Sequence, residues 1–430
     1  MSDARRPEPI PPLATLPAYK VPHAAAPIDL WLHGNEGAPP PLALLESLRD
    51  VELVRRYPSS AALEAQLGER LGVPATHVCV TAGADDALDR VFRSYLAGGW
   101  GPREVVLPLP TFVMLPHYAK VCGAAVRTAE WPAEAFPEAE VMQLLGPDTR
   151  AVALVTPNNP TGAAIPVATI ERIARAAPQA LMLVDLAYGE MADQDVTKSA
   201  LALPNALVFR TFSKAWGLAG ARVGYVIGAP ELLAPLRAVA PPFAVPGPSL
   251  WLAAERLRTG EADMLAYVAQ VRRERGQLTK SLAALGAKPV ESQANFVFAR
   301  VGSKARAMWL RDGLAGLGIG IRAFTTEAEI ADGVRITCPG NDADLARLQR
   351  GLAAVLQPEL KVAAGTDIEG LRGKPAWVFG RTPDEMRRAR IAGAVPIGLG
   401  DPDGADAKDL IAAGAARVVA SADALAEVMA

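Results

Sequence analysis

Thr211-Phe212-Ser213-Lys214-Ala215-Trp216-Gly217-Leu218-Ala219-Gly220-Ala221-Arg222 lies between two apolar runs, Ala206 to Phe209 and Val223 to Ile227. It holds one lysine, with a hydroxyl on the residue before it and an arginine eight places later. A lysine among glycines and alanines, flanked by buried strands, is stripped of water, which favours the neutral amine that imine chemistry needs. Ser213 and Arg222 suit a phosphate, one as a hydroxyl donor and the other as a planar cation. Together these groups point to a lysine joined to a phosphate-bearing aldehyde. Pyridoxal phosphate is such a molecule.

The two apolar runs belong to a longer alternation. Strands are predicted at 77–81, 104–107, 124–128, 151–156, 181–184, 207–211 and 223–227, with helices at about 84–95, 111–121 and 167–177 between them. Buried strands joined by helical crossovers predict a mostly parallel sheet with helices on both faces, an α/β fold. Ligands in such sheets sit beyond the strand ends. The polar clusters here occupy those places: Ala82-Gly83-Ala84-Asp85-Asp86, Pro157-Asn158-Asn159-Pro160-Thr161-Gly162, and Asp185-Leu186-Ala187-Tyr188.

The pattern predicts an N-terminal arm (1–45), a large sheet domain (46–245) and a smaller α+β domain (246–357). A C-terminal βα appendage follows (370–430). Prolines at 7, 9, 11, 12, 17, 22 and 27 rule out a long helix in the arm. In the smaller domain, one long helical stretch is expected over 249–285, then strands at 295–298 and 334–337.

With 50% hydrophobic residues, 21% charged residues and a net charge of -2, the composition is that of a soluble globular chain with no basic stripe for nucleic acid. No apolar run reaches membrane-spanning length. Three widely spaced cysteines predict a reduced, cytoplasmic protein without a disulfide framework. The four histidines lack metal-ligand spacing, so no metal site is expected.

Taken in order, these motifs resemble a fold-type I pyridoxal-phosphate aminotransferase over roughly residues 15–357, and within that group the histidinol-phosphate aminotransferases. The resemblance implies that Lys214 carries the cofactor and then moves the proton during transfer. It implies that Asp185 keeps the pyridine nitrogen protonated, that Tyr188 and Asn159 bond the ring oxygen, and that Phe112 stacks on the ring. Ala84, Asp85, Thr211, Ser213 and Arg222 are implied phosphate ligands, and Tyr57 is implied to reach the phosphate of a neighbouring subunit in a homodimer. Tyr19, Asn35, Arg322 and Arg335 match substrate-side positions.

Several of these residues also have plainer readings. Asp185 and Asp85 suit helix caps, Asn159 a turn and Phe112 the core. Tyr57, Tyr19 and Arg322 suit the surface. Arg335, inside a strand, needs an anion to face. Asp86 is left out of the cofactor set. The loop His33-Gly34-Asn35-Glu36-Gly37-Ala38 departs from the family's usual Asn-Pro at its last two positions, which leaves the substrate open.

The expected reaction moves an amino group between an amino acid or amine, histidinol phosphate foremost, and a 2-oxo acid such as 2-oxoglutarate. Alternatives are another amino acid, an aromatic one included, or decarboxylation of a phosphorylated amino acid. A non-enzymatic cofactor-binding regulator would need a basic DNA-binding module, and neither terminus offers one.

In the appendage, Val378-Phe379-Gly380-Arg381-Thr382-Pro383-Asp384-Glu385 resembles the last part of a haloacid-dehalogenase phosphatase. Arg381 stands where that family has a magnesium-binding aspartate, and the stretch from 357 to 380 ahead of it holds no Asp-x-Asp nucleophile. A non-catalytic remnant is therefore expected.

Overall fold

The computed structural model describes residues 11–14, 16–18, 25–99, 101–132, 135–363, 365 and 367–429. The chain divides into two compact units, one of residues 1–21, 37–159 and 163–264, the other of 22–36, 160–162 and 265–430.

The first unit is built on a seven-stranded sheet. Its strands run in the order Val78–Thr81, Gly224–Ile227, Ala206–Thr211, Leu181–Asp185, Thr149–Val155, Glu104–Leu109, Ala125–Glu130. All neighbours are parallel except Gly224–Ile227, which runs antiparallel to both of its partners. This is the predicted α/β architecture. The central strands are buried along their whole length, as sheets covered on both faces require. Val91, Phe92, Leu107, Leu183, Phe209 and Val226 form part of the core between sheet and helices.

The division between units falls at Met264, beyond the expected boundary near 245, because the helix Gly247–Thr259 is tied into the first unit. Trp251 donates its indole N–H to Ser47 Oγ at 3.0 Å, and Gln66 donates to the Ala254 carbonyl at 3.1 Å. The single helix expected over 249–285 is two helices, Gly247–Thr259 and Glu261–Ala284. Gly260 ends the first, its N–H bonding the Arg256 carbonyl at 2.8 Å.

Among the described residues the second unit holds three small sheets. Arg322–Ala323, Gly333–Thr337, Phe296–Arg300 and Lys288–Pro289 form an antiparallel sheet. Leu30–Trp31 pairs in parallel with Ile319–Gly320. Leu360–Ala363, Ala376–Gly380, Val395–Leu399 and Arg417–Val419 form a four-stranded parallel sheet, with the helices Pro383–Ala392 and Ala405–Ala412 as crossovers. Its first strand is not among the sequence expectations. It alternates half-buried with exposed residues, so its apolar signal is weak.

The C-terminal sheet packs into its own unit rather than standing apart. Trp309 and Trp377, both nearly fully buried, meet edge to face at 5.1 Å. The indole of Trp377 donates to the Ala354 carbonyl at 2.8 Å, and Arg417 pairs with Asp312 at 2.7 Å.

Candidate active site

The strand order brings the sequence motifs together. Gly224 pairs with both Thr81 and Thr211, so the turn after the first strand and the lysine loop flank one residue. Asp185 lies beside Val155 on one side and Phe209 on the other. Five of six consecutive strands, all but Gly224–Ile227, therefore deliver residues 83–85, 211–214, 185–188, 156–159 and 110–112 to one edge of the sheet.

Gly83 caps the helix Ala84–Val91 with φ 86°, a conformation that excludes most side chains. A Cβ there would crowd the Arg222 guanidinium, and one on Gly224 would press on the Ala84 amide. Arg222 itself takes the left-handed region, φ 53°. It lies 3.3 Å from Ser213 Oγ and pairs with the Asp85 carboxylate at 3.2 Å. Thr211 Oγ1 donates to Ser213 Oγ at 3.0 Å and accepts the Ser213 N–H at 3.1 Å. The result is a cup of amide, hydroxyl and guanidinium donors at the start of a helix, the chemistry that holds a phosphate. Asp86 has a different place: it accepts from the Ala82 N–H and pairs with the buried Arg90 at 2.5 Å.

Asp185 ends its strand only 5% exposed. Among the described residues its one side-chain hydrogen bond is from the Ala187 N–H, at 2.9 Å. Burial pushes its carboxyl from an ordinary 3.8 up to about 7, the Ala187 bond opposing this, and Asp85 adds to the rise while Lys214 opposes it. A carboxylate in this setting favours a cation placed against it. Lys214 Nζ stands 5.6 Å from the centre of the Tyr188 ring, and Tyr188 is itself 4% exposed. Phe112 is half-buried against the core, so part of its ring faces outward.

Two groups missing from the sequence reading hold this edge in shape. Asn158 donates to the Pro110 carbonyl at 2.9 Å and accepts from Thr111 Oγ1 at 3.2 Å, which fixes the Phe112 turn against the Asn159 turn. Arg210, on the strand leading to Lys214, pairs with Glu190 at 2.8 Å, both side chains 10% exposed. Glu190 lies two residues beyond Tyr188, so this pair clamps the tyrosine turn to the lysine strand.

The loop that departs from the family pattern has a physical reason for one of its changes. Gly37 lies against the Lys214 backbone so closely that a Cβ would strike the lysine carbonyl, and a Cβ on Gly217 would strike the Ala38 carbonyl. Tyr57 is 83% exposed, stacked on Phe243 at 4.6 Å, and apart from the cup.

The remaining sequence-predicted residues belong to the second unit. Arg322 and Arg335 are direct cross-strand partners. The Arg335 guanidinium lies over Phe296 at 5.3 Å and Phe324 at 6.0 Å, and Arg322 over Phe324 at 5.7 Å. Arg335 also donates to the His33 carbonyl at 2.7 Å. Asn35 is 1% exposed and left-handed, φ 55°. Its side chain accepts from Thr337 Oγ1 at 2.9 Å and its carbonyl from Asn295 at 3.2 Å. These bonds turn Asn35 into the unit's own network. Tyr19 lies outside the described residues. Among the described residues no cluster of three or more His, Cys, Asp or Glu side chains could hold a metal, and no helix is long and apolar enough to cross a membrane.

Comparison with known proteins adds to this geometry. A family model described as aminotransferase class I and II matches residues 32–352. The histidinol-phosphate aminotransferase 1 of Thiobacillus denitrificans is 36% identical over 289 residues, covering 65% of this chain and 73% of its own. The aromatic amino acid aminotransferase of Streptomyces avermitilis is 33% identical over 345 residues, 77% of this chain and 93% of its own. The structure of histidinol-phosphate aminotransferase from Sinorhizobium meliloti in complex with pyridoxal-5'-phosphate superimposes with a TM-score of 0.71 over 82% of this chain and 99% of that one, at 24% identity.

Proposed function

The chain belongs to the class I and II aminotransferases, and we propose that it uses pyridoxal phosphate to move an amino group between an anion-bearing amine, histidinol phosphate foremost, and a 2-oxo acid such as 2-oxoglutarate. Arg322 and Arg335 carry the substrate assignment. Like charges directly opposite on paired strands repel, and an anion shared between them relieves the repulsion. Their aromatic beds hold both guanidiniums in place for such a group. A phosphate or a carboxylate fits the planar fork of an arginine.

The first unit's edge fits the cofactor. Ala84, Asp85, Thr211, Ser213 and Arg222 would hold its phosphate, with Asp185 at its ring nitrogen, Asn159 and Tyr188 at its ring oxygen, and Phe112 on its face. Bound there, pyridoxal phosphate supplies an electron sink. Asp185, dry and short of hydrogen bonds, is suited to keep a proton on a nitrogen facing it. Lys214 Nζ is the group that takes and returns the substrate proton. With a phosphate there, Arg222 would exchange the half-exposed Asp85 carboxylate for a stronger charge-assisted partner.

The unit's surface supports a homodimer. Val54 and Tyr57 are 80% and 83% exposed beside Phe243, an apolar patch that a second copy would cover and that would carry Tyr57 toward the partner's cup. The described cysteines are all free, which suits the cytoplasm.

In residues 370–430 we assign no phosphatase chemistry. Arg381 replaces the expected carboxylate, and Glu385 spends its carboxylate on the Arg381 and Thr382 N–H groups at 2.7 and 3.0 Å.

Half-reactions over a panel of amines test the substrate. Histidinol phosphate should be the fastest donor, and charge removal at Arg335 should slow it more than it slows an amine without a phosphate. Faster turnover of phenylalanine or tyrosine would favour the aromatic reading, which the 93% coverage of the Streptomyces relative supports. Carbon dioxide release without amino transfer would sink both.

A further inference from the structure

A cavity of the second unit, not lined by the arginine pair, lies where the C-terminal sheet meets the helix Asp342–Leu356. Its volume is about 840 Å³, within the ~300–1,000 Å³ of small-molecule sites. Six cationic side chains line it: Arg347, Arg350, Arg372, Lys374, Arg387 and Arg390. Asp29 is the one carboxylate among the lining residues.

The charges divide into two sets. Arg347 and Arg390 share Asp29, at 2.7 and 3.4 Å, and also donate to the Leu317 and Pro27 carbonyls at 2.9 and 2.7 Å. Gly318, with φ 80°, lets this cluster lie directly on the backbone, where a Cβ would collide with all three side chains. Arg350, Arg372, Lys374 and Arg387 are exposed and form no ion pair with any described residue. They come from three segments: the helix Asp342–Leu356, the turn before Ala376–Gly380, and the helix Pro383–Ala392. Four like charges converging on one concavity repel one another, and a chain whose net charge is -2 does not concentrate them there as part of a general basic surface.

Beneath the cations the cavity is apolar. Leu317, Ile319, Ala392 and Ala413 are buried in its walls. A cationic rim over an apolar floor matches a ligand with a polyanionic end and an apolar body. We propose that this cleft binds a phosphorylated organic anion of nucleotide size, its phosphates on Arg350, Arg372, Lys374 and Arg387 and its body on the floor. The site exists only because the C-terminal segment packs on this unit, since Arg372, Lys374, Arg387 and Arg390 all come from that segment.

Calorimetry on the full-length, cofactor-loaded protein at about 0.15 M salt tests the proposal, with three probes free of divalent cations: ATP, inorganic pyrophosphate and adenosine. ATP is expected to bind saturably, pyrophosphate more weakly and adenosine not measurably. The double variant Arg372→Glu/Lys374→Glu changes two exposed side chains and should leave thermal stability and turnover unaltered. It should weaken ATP by about 10-fold or more, since two charge-assisted contacts are lost. Arg387→Glu, on another segment, should weaken ATP independently. Absence of saturable ATP binding, or ATP binding that survives both sets of substitutions, overturns the site. Equal affinity for pyrophosphate and ATP overturns the organic assignment. None of these readings depends on which amine the enzyme uses.

Discussion

A mostly parallel sheet and a parallel one in this chain end their strands in polar turns, and the two ends are built differently. In the seven-stranded sheet, the turns after the strands gather donors and one buried carboxylate at one edge: the Ala84 amide, Ser213 Oγ, Arg222 and Asp185. In the four-stranded sheet the matching turn is closed on itself. Thr382 Oγ1 accepts the Glu385 N–H, and Glu385 bonds the Arg381 and Thr382 amides, a complete capping box. The architecture is shared. What differs is whether the polar groups at a strand end are left for a ligand or consumed by the next helix.

The sharpest way to break this comparison is at Lys214. Lys214→Ala should lower amino transfer by at least about 1,000-fold, the upper part of the range for a lost acid–base group. It should also abolish the visible absorbance of the purified protein. Retention of both would remove the first sheet from the chemistry altogether.

Glu190→Ala tests whether the clamp behind the edge matters as its burial implies. It leaves Arg210 buried with Asp195 at 3.8 Å and Thr197 at 2.7 Å as its side-chain partners among the described residues. The expected loss of unfolding free energy is about 3 kcal/mol, the low end for a broken buried pair because those partners remain. Chemical denaturation measures it, and a loss below about 1 kcal/mol would mean that the Tyr188 turn holds itself.

Asp185 yields a pH signature in the cofactor-free protein. Its folded-state pKa, about 7, lies above its ordinary 3.8, so the folded chain holds this proton more tightly than the unfolded chain. The stabilising contribution is complete below about pH 4 and is lost as pH rises through 7. Asp185→Asn removes the titration. Cofactor-free wild type should therefore lose stability relative to the variant between pH 4 and 7, by roughly 3 kcal/mol at most, with denaturation midpoints as the readout. A flat difference across that window would mean that Asp185 stays ionised without a cation.

The candidate edge was readable in the sequence because each of its residues sits at or just beyond the end of an apolar run, and strand order alone brings such ends together. Gly83, Asp185 and Lys214 needed no side-chain geometry to be found. The Arg210–Glu190 clamp was hidden because it depends on a strand and a turn 20 residues apart meeting in register. The role of Gly37 was hidden for a similar reason: its carbonyl neighbour comes from the lysine loop, and only the folded backbone shows the collision a side chain would cause. Asn35 read as a substrate group from its motif, while its hydrogen bonds with Thr337 and Asn295 were hidden because those residues carry no signal of their own. In the C-terminal segment the strands and helices were legible, but the basic cleft was not. Its cations are scattered from Arg347 to Arg390 and converge only through packing.

The smallest expected effect sharpens the contrast from the other side. Thr382→Ala removes the capping hydroxyl of the helix Pro383–Ala392 and should cost about 1 kcal/mol, the usual value of an N-cap. That cost should appear in unfolding, because Met386 and Ala389 of this helix are buried in the packing of the C-terminal segment. It should not appear in amino transfer, since Thr382 and Glu385 spend their polar groups on each other and on Arg381. A fall in turnover beyond about 2-fold, with cofactor content unchanged, would mean that this turn acts on the chemistry after all. In that case the difference between the two sheets would be one of distance from the reaction, not of what their strand ends are built to do.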